Sequence, residues 1–333
     1  MTINTSIGLI GVALQEDRDT PAAAPAFVHG LTGGKVFSID RSVSSANVSC
    51  GVRAGTDSYV KSIVPGLDFD TYGYADVLPL YFYAALGGIA SAPTDSSDLF
   101  EHTVVLGDEL PFLTFWGRIG NEFTRTDGCK VDQFEMEFEG NDPLAFGVTA
   151  LGLGATMGLD SIPGAGDPSC FDGYFVPTNG IFKLDTSSDE PAEADVLKAS
   201  LSITNSCKTF ARAGRITPGN VSEGKLTTAG KVTVQPADLG LYKQMVTGSK
   251  SGTTPSGEIV YGSFYWEFTH SKVPGLKLTI EASRVPFTAE FPEVDPEGGA
   301  AEMEFSFEDI GIDQRGGSPI TVKIVNKTPS YTA

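Results

Sequence analysis

The alternation of apolar and polar residues predicts a chain built mainly of short β-strands. Residues 67–71, 134–139 and 302–308 alternate apolar with mainly acidic side chains, and residues 197–203 alternate apolar residues with lysine and serine. A period of two places one face of a strand in a core and the other face in solvent. We therefore predict a mainly β fold in which the outward faces of several strands are acidic.

A strand followed by a short helix is predicted twice. Residues 66–70 lead into an apolar helical segment at 77–87, and residues 230–234 lead into a similar segment at 239–248. The aligned pairs are Leu80 with Leu241, Tyr81 with Tyr242 and Gly87 with Gly248. The repetition favours a structural role over catalysis, because no catalytic motif accompanies it.

Local signals define the first helix. Asp76 is a candidate N-cap, and Pro79 falls in the first turn, where proline is tolerated. Gly87 and Gly88 are expected to end the helix. One helical face is predicted to hold Val77, Leu80, Tyr81 and Ala84. A helix this short depends on packing against a sheet for its stability.

A shared tetrapeptide supports an internal duplication. The sequence EMEF occurs at 135–138 and again at 302–305, downstream of each strand-helix passage. We predict one domain over residues 1–333 that contains two pseudo-repeats, at about 35–140 and 196–325. The expected fold is a β-sandwich with short flanking helices.

Four segments fall outside these pseudo-repeats or interrupt them. They are polar, or rich in glycine and proline, and we predict an extended arm, loops and a tail outside the repeated core. They are an N-terminal arm (1–34), a long loop (41–62), an insertion or linker (141–195) and a C-terminal tail (326–333).

The charge balance is strongly acidic. The chain has 23 Lys and Arg against 42 Asp and Glu, a formal net charge of −19. This argues against nucleic-acid binding by phosphate neutralisation, which needs clustered cations, but not against a surface that guides nucleic acid by repulsion. Solubility is an equally good explanation of the acidity. No apolar run reaches the length of a membrane span, and the first residues lack the basic region of a signal peptide. We expect the chain to remain in the cytoplasm where it is made.

The sequence offers no candidate catalytic, cofactor or metal residues. It has three histidines and no nucleophile elbow, P-loop, dinucleotide fingerprint or zinc motif. The four cysteines are far apart, which favours free thiols. Asp68 and Asp70 share one face of a predicted strand. Two carboxylates in this arrangement more commonly belong to a solvated face than to a catalytic pair. Trp116 and Trp266 lie in predicted strands, where core packing is their usual role.

Three passages resemble one family. They are GVALQEDRDTPA (11–22), YAALGG (83–88) and FTRTDGCKVDQFEMEF (123–138). In this order they resemble the tail tube (major tail) protein of long, non-contractile-tailed bacteriophages. The resemblance covers most of the chain but not residues 141–195.

The resemblance implies an assembly. Six copies would form a ring, with their inner strands joined into one continuous β-barrel, and stacked rings would form the tail tube. The tube would surround the tape-measure protein and later conduct DNA to the host. The partners implied are other copies, the tape-measure protein, tail terminator and distal tail proteins, and DNA in transit, without sequence specificity and without a membrane. The chain would be assembled in the host cytoplasm and end in the virion tail.

Within this framework, individual residues acquire expected roles. Asp68 and Asp70 are candidates to face the lumen, while Leu67 and Phe69 face the core. The segments 1–34, 41–62 and 326–333 could reach neighbouring rings. The inter-ring candidates in the long loop are Ser44, Asn47, Arg53 and Asp57.

Two other classes stay open. One is another virion component, a tail terminator or a decoration protein, which would not form long tubes by itself. The other is an extracellular carbohydrate-binding or hydrolytic β-sandwich. That class predicts a signal peptide and an aromatic platform on the surface.

Overall fold

Antiparallel β-strands make up most of the protein. The computed structural model describes residues 4–45, 57–96, 98–164, 166, 168–186, 192–292, 301–312 and 317–332. Within these ranges two α-helices and one short 3-10 helix interrupt the strands. The mainly β prediction is confirmed.

The first half of the chain contains ten strands and the first helix. They are β1 (Gly8–Leu14), β2 (Phe27–His29), β3 (Gly33–Ser45), β4 (Ser58–Tyr72), α1 (Leu78–Leu86), β5 (Gly87–Pro93), β6 (Phe100–Leu106), β7 (Leu113–Ile119), β8 (Glu122–Glu139), β9 (Ala145–Leu151) and β10 (Gly154–Met157).

The second half follows the 3-10 helix at Ser169–Phe171. Its elements are β11 (Phe175–Val176), β12 (Phe182–Asp185), β13 (Ala192–Glu193), β14 (Val196–Thr204), β15 (Lys208–Phe210), β16 (Asn220–Ser222), β17 (Thr227–Val234), α2 (Gly240–Thr247), β18 (Gly262–His270), β19 (Lys277–Val285), β20 (Phe287–Ala289), β21 (Met303–Glu308) and β22 (Thr321–Asn326).

Two large antiparallel sheets contain nearly all of these strands. In the first sheet, β8 is long enough to pair with β7 and β10 along its first part and with β9 and β14 along its second part. From there the sheet runs one way through β9 and β4 to β3, and the other way through β14, β17 and β21 to β20. The second sheet has the order β13-β12-β18-β19-β22-β6-β5, with β11 also paired to β18. The strands β15 and β16 form a separate hairpin.

The two large sheets pack face to face around one core. Phe138 of the first sheet lies 5.1 Å from both Phe182 and Phe268 of the second, measured between ring centroids. Phe264 and Phe307 make a similar contact at 5.7 Å. This arrangement is sandwich-like, and among the described strands neither sheet closes into a barrel within one chain.

Helix α1 lies inside this core. Eight of its nine residues are buried, and Phe82 packs on Phe134 of β8 with ring centroids 4.7 Å apart. Gly87 ends the helix in the left-handed conformation, as predicted. The prediction that Asp76 caps the helix is wrong: the N-cap is Val77, and no side chain caps it.

Helix α2 lies at the periphery. Only Gln244 is fully buried, and Lys243 is exposed. The Asp238 carboxylate accepts a hydrogen bond from the Gly240 amide at 2.6 Å, just before the helix. Gly248 ends this helix in the left-handed conformation, as Gly87 ends α1.

The predicted N-terminal arm at 1–34 is not a free extension throughout, because two of its segments form strands of the first sheet. Strand β1 lies between β2 and β7 inside the first sheet, and Ile10 and Val12 are fully buried. Gly11 allows the segment around Pro25 to pack against this strand, since a Cβ at Gly11 would lie 2.9 Å from the proline ring. The strand escaped prediction because its residues are apolar without a period of two.

The predicted loop at 41–62 is largely a β-hairpin. Strand β3 continues to Ser45 and β4 begins at Ser58, and the two pair with bulges at two places. The intervening residues 46–56 lie outside the described part of the chain.

The interpretation of 141–195 and 326–333 as irregular segments is also corrected. Strand β9 lies between β4 and β8 in the first sheet, and β10 to β13 pair with other strands. At the C-terminal end, Asn326 completes β22, and the buried Tyr331 donates a hydrogen bond to the Asp76 carbonyl at 2.6 Å. The C-terminal contacts are hidden in the sequence because they depend on single residues, such as Asn326 and Tyr331, in a polar segment.

No helix in the described ranges is long and apolar enough to cross a bilayer.

Candidate functional site

The predicted alternation along β4 is confirmed. Leu67 and Phe69 point into the core, with exposed fractions of 1% and 0%. Asp68 and Asp70 are exposed on the opposite face of the first sheet. A strand that alternates in this way must hold its acidic side chains in solvent, because their burial without partners would be costly.

Strand register extends this acidic surface across six strands. Asp70 opposes Gly147 of β9, which in turn opposes Glu135 of β8. Directly paired residues on neighbouring strands form a row across the sheet, and this row continues through β14 and β17 to β21 without a basic residue. In order across the sheet it reads Asp70, Gly147, Glu135, Ser202, Ala229 and Glu308.

Neighbouring rows add further carboxylates. Glu137 stands one row away, with Ser200 and Lys231 beside it. Glu139 and Glu304 belong to the row beyond. We call the resulting surface the acidic face. Its carboxylates are Asp68, Asp70, Glu135, Glu137, Glu139, Glu304 and Glu308.

Small side chains separate these carboxylates. Gly147 lies so close to Asp70 that a Cβ there would come within 3.0 Å of the Asp70 Oδ1 atom. Serine and alanine occupy the outward positions of β14 and β17 in the same row. The result is a shallow depression of about 680 Å3, lined in part by Asp70, Glu135 and Glu308. Such a surface offers few side chains that could grip a ligand.

Few cations offset the charge of the acidic face. Lys231 pairs with Glu304, with the Nζ and Oε1 atoms 2.9 Å apart, and Lys35 and Lys198 lie opposite Asp68 and Glu139. Seven carboxylates against three lysines leave a formal charge of −4. Like charges that are not neutralised repel a phosphate backbone over about 10 Å at moderate ionic strength.

Hydrogen bonds hold two of the carboxylates in place. The Thr149 hydroxyl donates to Asp68 at 3.2 Å, and the Gln133 amide donates to Glu135 at 2.6 Å. Both donors are neutral, so they orient the carboxylates without removing charge.

Two histidines are buried away from the acidic face. The Nε2 atom of His29 lies 2.7 Å from the Tyr81 hydroxyl, and burial lowers the pKa of His29 to about 4. His102 is hydrogen-bonded to Ser91 and Asn326, and burial lowers its pKa as well. Both act as packed, neutral core residues.

The described thiols are free. Cys129, Cys170 and Cys207 form no disulfide, and Cys50 lies outside the described residues. Burial raises the pKa of Cys207 to about 12, followed by the effect of nearby Asp132. Its thiolate is therefore disfavoured at neutral pH, which opposes nucleophilic chemistry. Within the described ranges, no three potential ligands form a cluster that could hold a metal ion.

The inter-ring candidates lie apart from the acidic face, at the far end of the β3–β4 hairpin. Ser44 is half-buried opposite Tyr59, and Asp57 is exposed and accepts a hydrogen bond from the Ser58 amide at 2.8 Å. Asn47 and Arg53 lie outside the described residues.

Sequence reasoning missed the contribution of β21 to the acidic face. The signal was available, because Glu304 and Glu308 occupy the same alternation as Glu135 and Glu137. What the sequence lacked was the order of strands that places β21 and β8 in one sheet, on either side of β14 and β17.

Both tryptophans are in the core. Trp116 and Trp266 are 1% and 0% exposed. Neither can serve in an aromatic binding platform on the surface, which the carbohydrate-binding alternative requires.

Comparison with known proteins identifies the family. No individually curated protein sequence matches the chain. A family model described as phage tail tube protein matches residues 8–308, most of the chain. The matched range begins at β1 and ends with β21, so it includes every strand of the acidic face. The chain belongs to the phage tail tube protein family, whose members are structural components of the virion tail.

Proposed function

We propose that the chain is the repeating subunit of a phage tail tube, in which hexameric rings stack around the tape-measure protein and later conduct DNA to the host. The observation that carries this proposal is the acidic face on an open-edged sheet, in a member of the tail tube family. Assembly would take place in the host cytoplasm, with tail terminator and distal tail proteins at the two tube ends.

The sheet edges support ring formation. Of the eight strands from β3 to β20 that carry the acidic face, β3 pairs only with β4 and β20 pairs only with β21 among the described residues. Open edges present unpaired backbone groups, and joining them between copies satisfies these groups. If β3 of one copy meets the β20 edge of the next, six sheets would form a continuous barrel without edges.

The acidic face supports the lumen assignment. If Asp68 and Asp70 line the bore, the neighbouring carboxylates of β8 and β21 line it too, since they share one sheet face. A ring of six copies would carry six times −19, or −114. A wall of this sign would keep DNA from adhering during passage.

Strand order supports the duplication, with pseudo-repeats near 35–140 and 196–325. After α1 the chain forms the β5–β6 hairpin, and after α2 it forms the β18–β19 hairpin. These hairpins lie on opposite sides of β22 in the second sheet. The two EMEF strands, β8 and β21, similarly lie on opposite sides of the β14–β17 hairpin. Strand β9 has no counterpart in this scheme.

The β3–β4 hairpin is the proposed contact between rings. Its far end carries Ser44 and Asp57, with Asn47 and Arg53 in the connecting segment. Deleting residues 44–57 should leave a folded subunit that forms rings but not tubes. Tubes of normal length from the deleted protein would contradict this role.

Electron microscopy tests the proposed function directly. The purified protein at high concentration, viewed in negative stain, should form rings or hollow filaments. A protein that stays monomeric, or that only caps or decorates tubes made by another protein, would instead be a terminator or decoration protein. A reconstruction that placed Asp68 and Asp70 on the outer surface would contradict the lumen assignment alone.

A further inference from the structure

The β15–β16 hairpin is a basic element on an acidic protein. Residues 206–222 contain Lys208, Arg212 and Arg215 and no acidic residue. None of these three cations lies within 4.0 Å of a carboxylate in the part of the chain that the structure describes, but Arg212 and Arg215 lie near Asp19, which is ion-paired with Arg18. Phe210 and Ile216 beside them are more than half exposed, at 53% and 54%. We call residues 206–222 the basic hairpin.

The base of the basic hairpin is firmly attached. The Asn205 amide donates to the carbonyls of Ala85 and Val131, each at 3.0 Å. On the other side, Glu223 pairs with the buried Lys130, with Oε2 and Nζ 2.6 Å apart. Attachment on both sides presents the exposed tip in a fixed position, which lowers the entropy cost of binding a partner.

The basic hairpin adjoins the β3–β4 hairpin. The Ile63 amide donates to the Ile216 carbonyl at 3.0 Å. Val43 and Tyr59, also on the β3–β4 hairpin, are 58% and 55% exposed. We call residues 35–45, 57–66 and 206–222 together the basic end. It has six basic and two acidic residues, a formal charge of +4.

The opposite end of the first sheet is acidic. Lys130 marks the basic end of β8 and Glu139 the other end, a separation of about 30 Å along the strand. Around Glu139 lie the segments that lead into and flank α2. We call residues 138–143, 192–198, 235–243, 289–292 and 301–303 the acidic end. It has seven acidic and two basic residues, a formal charge of −5.

The acidic end also exposes an aromatic pair. The rings of Tyr242 on α2 and Phe291 lie 5.3 Å apart, centroid to centroid, and Phe291 is 59% exposed. Asp238 and Glu290 are exposed close to this pair in sequence. Acidic groups border this pair, with Lys243 beside Tyr242 as the exception, and an exposed apolar surface with a charged rim is typical of a protein–protein contact.

We propose that the basic end of one copy docks head-to-tail on the acidic end of a second copy, with the basic hairpin against the Tyr242–Phe291 pair. Opposite charges attract the two ends, while like ends repel, so only one polarity of stacking is favoured. A head-to-tail contact that does not close on itself produces an open filament. This inference rests on the proposed function and specifies which surfaces of successive rings meet.

Charge reversal tests the contact. We expect R212E/R215E to form rings or single subunits but at least tenfold fewer tubes than the wild type at low salt. Adding D238K/E290K to that variant reverses both ends and should restore tubes. Tube number and length are read in negative stain, with sedimentation as a second measure. The matched control is K323E/K327E, which makes the same change of charge at the half-buried Lys323 of β22 and the exposed Lys327 just after it, and should leave tubes unchanged.

Each outcome bears on a separate statement. Normal tubes from R212E/R215E would overturn the role of the basic hairpin. Loss of tubes that D238K/E290K does not reverse would overturn the acidic end as its partner. A wild-type protein that forms neither rings nor tubes would instead contradict the proposed function. A thermal unfolding midpoint equal to that of the wild type confirms that each variant is folded.

Discussion

The two strand-helix units differ most in where their helices lie. Helix α1 contacts strands of both large sheets and is buried on nearly all sides, whereas α2 contacts the edge strand β20 and is mostly half-buried. Their sequences, LPLYFYAAL and GLYKQMVT, explain the difference, since only the second carries a charged residue. A repeated local pattern thus serves in one place as core and in the other as surface available to partners.

Matched leucines give the largest expected contrast. Leu80→Ala removes a side chain that is 1% exposed and should lower the free energy of unfolding by about 2–5 kcal/mol. Leu241→Ala, at the aligned position in α2, removes a half-buried side chain and should cost about 1 kcal/mol. Urea unfolding of both variants measures the difference. Equal losses would show that α2 is as essential to the core as α1.

Acid should lower the free energy of unfolding through His29, whose ring contacts Tyr81 of α1. The folded-state pKa of about 4 lies below the ordinary value of 6.5, so the unfolded chain binds more protons between these values. The stability that neutral His29 contributes is complete above about pH 6.5 and falls by about 3 kcal/mol as the pH drops to 4. His29→Gln should have a smaller loss over this window, measured by urea unfolding at several pH values. Parallel pH profiles for the two proteins would contradict the assignment.

The two helix-ending glycines should respond differently to alanine. Both have positive φ, 89° at Gly87 and 79° at Gly248, so each substitution costs about 1–2 kcal/mol in backbone strain. At Gly87 the new Cβ would also lie 2.6 Å from the Glu109 carbonyl oxygen, while at Gly248 the nearest atom is 3.9 Å away. Gly87→Ala should therefore lower the thermal midpoint clearly more than Gly248→Ala. A larger loss of thermal midpoint for Gly248→Ala would mean that the residues around Gly87 adjust to the new Cβ more easily than those around Gly248.

The difference between the units also marks what the sequence could predict. The alternation along β4 and β8 and the end of α1 at Gly87 depend on local residues, and all were predicted. The location of β1 and β9 inside the first sheet was missed, because it depends on pairing with distant strands. The full extent of the acidic face was missed for the same reason. Local patterns determine which side chains point outward, but only the strand order determines which of them share a surface.

The outward positions of the two repeated strands differ in charge. Reversing the charge on β4 is the substitution with the smallest expected effect on stability. In the alignment that pairs Leu80 with Leu241, Asp70 on β4 corresponds to Lys231 on β17, and Asp68 corresponds to the uncharged Ala229. Asp68→Lys combined with Asp70→Lys should change the free energy of unfolding by less than about 1 kcal/mol, because both carboxylates are exposed. The same variant should gain measurable affinity for a short DNA duplex in fluorescence anisotropy at low salt, and lose it as salt rises.

A matched charge change elsewhere makes this prediction specific to the acidic face. Glu101→Lys with Glu281→Lys changes the net charge equally, on β6 and β19 of the second sheet. If repulsion by the acidic face keeps DNA away, the control should bind the duplex at least tenfold more weakly than the β4 variant. Equal affinities would mean that net charge alone excludes DNA. The acidic residues of β4 would then have no particular role, and the contrast between β4 and β17 would carry no functional meaning.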